Sequence, residues 1–383
     1  MRLYERFRVL WPLTLIVLVA ACDNDDDAGA PAAEVPASYA FERNGLSTVD
    51  FSGQTDRLNM LAEIKAYIAS ANNGDKVSGE HIMDMFQNLN APFDDEALNS
   101  STRKLEDKTL ISEAGALKDM FAKGAEVSAD VADNGTLAAQ GIPGKLPRGS
   151  GYILVNEKGW EFSQFVEKGL MGSCFYHQIY NVYLTDGRVG DGVDNTNVVE
   201  GTNYTAMEHH WDEAFGYFGV PFDFPQGEVV LEDDEDRFWA EYTHKANPFL
   251  GTNKLLMDAY LTGRTAIVNK DYQVRDAQRA VLYAGHELVA AASALHYINE
   301  AISDFNNGDT GNAFHHLSEG YPFVKALQYS PYKRLSQAQV VKILSEDFGT
   351  DGDFWTVTIA GLNQAKSTLV LVYEELEPVK DQL

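Results

Sequence analysis

Two short segments concentrate the chain's metal-binding chemistry. One is His209-His210-Trp211-Asp212-Glu213 and the other is His315-His316-Leu317-Ser318-Glu319. They hold four of the nine histidines, which makes a chance pairing a poor explanation. On a helix, residues three apart lie about 60° apart and one turn along. His210 with Glu213, and His316 with Glu319, can therefore face one site, and His209 and His315 reach the same carboxylates from four positions away. Imidazole nitrogens suit zinc, iron, copper or nickel, and added carboxylates shift the preference toward iron or manganese. Glu208 offers another carboxylate beside the first pair, and His177 could add a ligand or an orienting hydrogen bond. A single His-x-x-Glu is more often a surface ion pair. The repetition and the aromatic flanks, Phe215-Gly216-Tyr217 and Gly320-Tyr321, favour function.

Other histidines carry weaker signals. Gly285-His286-Glu287 opens like a zinc-peptidase helix, but position 290 is Ala where the second His must stand, so that motif is absent. His296 and Glu300, four apart, read equally as ligands or as a surface pair. The loop 185–202 is rich in Asp and Gly yet does not follow the EF-hand pattern, and a solvated loop is the better reading.

The elements that must position these groups are helices. Asn44-Gly45 inside an alternating stretch predicts a short N-terminal β-hairpin. Leu58, Leu61, Ile64 and Ile68 form an amphipathic stripe over 53–71. Ser78 can cap a helix running to Phe86. Residues 135–151, rich in Gly and Pro, read as a loop. Helices are then expected over 159–184, 205–218, 233–261 as one or two, 271–305, 311–328, 336–346 and 353–376. The fold class is all-α, built from helical bundles.

The ends and the composition set the context. Arg2, Arg6 and Arg8 precede the apolar run 9–21, which is shorter than the ~20 residues of a spanning helix. Residues 1–21 read as an export signal. Val19-Ala20-Ala21-Cys22 looks like a bacterial lipobox, which predicts lipidation of Cys22 and a membrane anchor. Asp23 resembles an inner-membrane retention signal, and the choice between inner and outer membrane stays open. Residues 22–38 read as an acidic, Ala- and Pro-containing tether, and 39–383 as the folded body, with halves drawn at 39–230 and 231–383. The chain has 30 basic and 57 acidic residues, and losing residues 1–21 removes three Arg and Glu5, leaving 27 and 56. Such a surface argues against nucleic-acid partners and is compatible with cation capture. Cys174, the other cysteine, reads as a small buried apolar residue.

The segments 42–61, 167–178, 208–221 and 314–331 together resemble a family of bacterial lipoproteins built on a domain of unknown function, itself similar to the imelysins. The likeness covers 39–383. Imelysins carry Gly-x-His-x-x-Glu, and here His210 with Glu213 and His316 with Glu319 match, while Glu208 and Phe314 stand at the Gly places. The resemblance implies two imelysin-like bundle halves and a role in iron acquisition alongside outer-membrane uptake components, without catalysis. The resulting expectation is a lipid-anchored, periplasm-facing protein binding iron or zinc through His209, His210, Glu213, His315, His316 and Glu319. The alternatives are a metal-dependent peptidase or other hydrolase, and a non-catalytic scaffold in which the His/Glu pairs stitch helices together.

Overall fold

The computed structural model describes residues 32–224 and 237–383. The proposed export signal, Cys22 and most of the tether fall in 1–31, outside the described residues. Asn44 and Gly45 take positive φ angles of 55° and 76°, as a tight two-residue turn requires, and they join β1 (Glu42–Arg43) to β2 (Leu46–Ser47). The expected N-terminal hairpin is therefore present. Helix α1 (Ser52–Ser70) follows and buries Leu58, Leu61, Ile64 and Ile68 as the stripe predicts. Helix α2 (Gly79–Gln87) starts where Ser78 Oγ accepts the His81 amide. A short α3 (Glu96–Ser100) and the 24-residue α4 (Ile111–Asn134) come next.

Residues 135–151 depart from the expected loop. A second hairpin forms here, with β3 (Gly144–Arg148) antiparallel to β4 (Gly151–Val155). Gly149-Ser150 makes its two-residue turn, and Gly149 supplies the positive φ of 56°. Tyr152-Ile153-Leu154-Val155 is β-prone, but the Gly and Pro density of the first strand hides the alternation that would reveal it.

Beyond the hairpin the chain is helical. Helix α5 (Phe162–Leu170) continues through two wide π turns, Met171–Tyr176 and Ile179–Tyr183. After α6 (Asp186–Val189), α7 (Ala206–Phe218) opens on a capping box between Thr205 and Glu208 and closes at left-handed Gly219. The expected one or two helices near 233–261 are two, α8 (Trp239–Leu250) and α9 (Thr252–Val268). The 36-residue α10 (Tyr272–Asn307) is capped by Asp271, and α11 (Thr310–Ala326) by Asp309. Helices α12 (Gln337–Lys342) and α13 (Ile359–Val372) complete the fold. The fold is all-helical apart from two small hairpins.

Residues Glu34–Leu383 form one compact unit. Helix α10 packs between α9 and α11, α11 on α5, α5 on α1, α1 on α7, and α7 on α9. Six helices thus close into a cycle. The core is aromatic, with Trp211, Trp239, Tyr176, Tyr217 and Tyr260 all fully buried. Tyr176 stacks on Trp239 with centroids 3.5 Å apart. Cys174 is buried in this core, and burial pushes its thiol up to about 12. Among the described residues no helix is long and apolar enough to cross a membrane.

Candidate metal centre

The two His-His-x-x-Glu segments lie on α7 and α11. In the cycle these helices are separated by α1 and α5 on one side and by α9 and α10 on the other. The two copies therefore occupy different places, with different neighbours.

On α11, one ligating atom from each of His315, His316 and Glu319 lies within 4.8 Å of the others. Metal bonds of about 2.1 Å would draw such atoms to about 3.4 Å apart, a small side-chain adjustment. The surroundings prepare the imidazoles for this. His315 Nδ1 meets Glu161 Oε2 at 2.6 Å, and His316 Nδ1 meets Asp304 Oδ2 at 2.7 Å. A carboxylate on Nδ1 fixes the ring and the tautomer and leaves Nε2 free to bind a metal. His315 Nε2 indeed points at Glu319 Oε2, 3.5 Å away. The other Glu319 oxygen, Oε1, faces Lys168 Nζ at 3.7 Å. The two oxygens thus face different neighbours, one an imidazole and one an ammonium.

Each orienting group is held by its helix. Glu161 sits at the N-cap of α5, and its amide donates to Ser318 Oγ at 2.9 Å, so α11 docks on the start of α5. Asn72 and Ser163 donate to Glu161 Oε1. Burial alone would raise the Glu161 carboxyl, but His315, Ser163 and Asn72 together outweigh it and hold the group below its ordinary value. Lys168 is fully buried. Burial opposes its charge, but Glu167 at 2.7 Å and Glu319 raise it well above the usual lysine range. Lys65 adds a second contact to Glu167 at 2.7 Å.

On α7 the same residue types are differently employed. His210 Nδ1 binds Glu213 Oε2 at 3.0 Å, and its Nε2 faces the Arg188 guanidinium at 3.3 Å, so both ring nitrogens are engaged. His209 stacks flat on Tyr204, centroids 4.3 Å apart, with Nε2 3.9 Å from Glu213. Burial lowers His209, against the opposing pull of Glu213 and Asp50. Glu208 is held by Arg43 at 2.9 Å and Arg264 at 3.2 Å, and it closes the capping box of α7. Asp212 in the same segment binds Arg264 at 2.8 Å and the Tyr39 hydroxyl at 2.8 Å, and burial pushes its carboxyl up to about 6.

The remaining histidines stand outside this three-residue group, and of them His296 lies near enough to His316 and Glu319 to feel their charge. His177 Nδ1 faces Asn181 at 3.4 Å, and burial lowers it. His286 is wholly buried beside the Tyr260 hydroxyl at 2.9 Å, and burial takes it down to about 3. Its neighbour Glu287 accepts from Ser330, Tyr373 and the Arg334 amide, which ties the 330–334 turn and Tyr373 onto α10. His296 and Glu300 line a separate cavity of about 330 Å³ with Tyr242 and Lys245. In the loop 185–202, Asp186 pairs with Arg279 and Asp191 with Arg275, while Asp194 accepts from Thr196 and Asn197, so the carboxylates there diverge.

Glu161, Asp304 and Lys168 were not legible as site residues. Glu161 carries a weak signal, an acidic residue just before a helix with Ser two positions on. Asp304 and Lys168 reach the site only through helix packing.

One protein family, described as Domain of unknown function (DUF4856), matches the chain over residues 36–376. No curated protein and no solved structure matches it.

Proposed function

We propose that this chain, which belongs to the DUF4856 family, captures a divalent transition metal, iron or zinc, at His315, His316 and Glu319. The observation that carries this reading is the pair of carboxylates, Glu161 and Asp304, each placed on an imidazole Nδ1 beside a third ligand. Two imidazoles and one carboxylate make the donor set of ferrous and of open zinc sites. Lys168 tempers the affinity, since a buried ammonium near Glu319 repels a cation. Release of the metal is then easier than from a site of carboxylates alone. Binding is favoured over hydrolysis because the nearby carboxylates are already engaged. Glu161 and Asp304 hold imidazoles and Glu167 holds two lysines, so none of these three is free to act as a general base.

The wider role rests on the sequence. Lipidation at Cys22 would tether the body at the cell envelope, facing the periplasm, and the likeness to imelysins favours iron supply alongside outer-membrane uptake components. Calorimetric titration of untagged protein with Fe(II) and Zn(II) tests the binding. We expect His315→Ala with His316→Ala to abolish it and His209→Ala with His210→Ala to leave it intact. Equal affinity in all three proteins would reject the centre.

A further inference from the structure

A small polar cavity of about 140 Å³ lies against the α7 motif, walled by His209, Glu213, Asp50 and the first turn of α1. Three cationic side chains, Arg57, Arg103 and Lys108, also line it. We propose that this cavity binds a small oxyanion, a phosphate or carboxylate group, and that the α7 segment serves an anion where the α11 segment serves a cation.

The argument is one of unmatched charge. Arg57 is only 5% exposed, and its guanidinium donates to two backbone carbonyls, Lys104 and Gly53, both at 2.8 Å. Lys108 Nζ donates to the Tyr183 hydroxyl at 3.1 Å. Arg103 packs over Gly53, where an added methyl would meet its Nε at 2.9 Å. Among the described residues none of the three has a carboxylate within ion-pair distance. The two acids in the wall are already satisfied by other donors. Glu213 accepts from Gln54 at 3.1 Å and pairs with His210 at 3.0 Å, and Asp50 accepts the Ser52 amide at 3.0 Å. Asp50 and Glu213 offset part of this charge, but three cations against two carboxylates leave the wall with one positive charge in excess, which an anion would neutralise. Burial and the neighbouring Arg57 depress Lys108 by more than Glu213 raises it.

The backbone adds to the field. Helix α1 has 19 residues and begins after Phe51 with no side-chain cap. Its first turn, Ser52, Gly53 and Gln54, lines the cavity, with the Ser52 amide already held by Asp50. His209 lines the same wall. The volume equals roughly four to five waters, which suits a single phosphate or carboxylate group.

The test is calorimetry and thermal shift of the whole protein with inorganic phosphate, and separately with acetate, against chloride at matched ionic strength. Saturable binding of either anion is expected, and the tighter of the two names the class. Lys108→Met and Arg103→Ala, at the wall and the exposed rim, should each weaken it at least tenfold, while His315→Ala should not change it. That last control separates this cavity from the metal centre. A response no larger than that to chloride, or undiminished binding in both variants, overturns the proposal.

Discussion

Replacing Glu161 with Gln isolates the orienting role on which metal capture depends. The amide keeps the shape and an acceptor oxygen but removes the charge that holds His315 Nδ1 at 2.6 Å. Asn72 and Ser163 still hold the other oxygen, at 3.1 and 2.8 Å, so the side chain stays in place. The loss is then one of ligand basicity rather than of position. Removal of such a partner costs ten- to a hundredfold in metal affinity, and the retained geometry puts Glu161→Gln near the lower figure, about 1.4 kcal/mol. Competition titration of zinc against a chromophoric chelator at pH 7 measures it. Asp304→Asn should behave similarly through His316, and Glu213→Gln should leave the affinity unchanged. There is also a signature in stability. The folded Glu161 carboxyl lies below its unfolded value, so its contribution is present above the unfolded pKa and is lost as pH falls through the folded one. Glu161→Gln should therefore flatten the acid limb of the stability profile. If zinc binds the Gln variant as tightly as the parent while His315→Ala abolishes binding, the orienting argument is wrong.

Two further outcomes follow from buried charge. His286 is depressed to about 3 by burial, so the unfolded chain binds more protons than the folded one between about pH 3 and 6.5. Stability should fall as pH drops through that window, by about 2 kcal/mol at pH 5 from this group alone, and urea titrations of His286→Leu should show a shallower slope. Arg264→Met strands Glu208 and Asp212 without their shared guanidinium, all three being at most 1% exposed. The expected cost is about 3–5 kcal/mol, read from the denaturation midpoint, and a loss under 1 kcal/mol would contradict it.

Local chemistry made most helices legible. Ser78, Thr205, Asp271 and Ser336 cap helices near the expected starts, because an N-cap is decided by the residue itself and its next few neighbours. The stripe on α1 is visible because one face meets the core. Helix α4 was passed over: it buries only Leu117, Phe121, Gly124, Val127, Ser128 and Val131 of its 24 residues, a sparse pattern. The twinned His-Glu motif was equally plain, yet its two copies were indistinguishable from one another. What separates them is the set of neighbours, Arg188 and Tyr204 at one and Glu161 and Asp304 at the other. Those contacts span 22 residues or fewer in some cases and 154 in another, and no local spacing rule reaches the longest of them.

The order in which the helical cycle closes has a cost during synthesis. Helix α5 emerges early, but the face it turns to α11 is covered only when residues 310–326 have been made. Until then Phe165, which ends beside Tyr321 with ring centroids 5.3 Å apart, and Gly172, which ends against Ala326, lack part of their shelter. A nascent chain halted anywhere before α11 thus presents a greasy, adhesive strip, and truncations there should be recovered as aggregates or bound to chaperones.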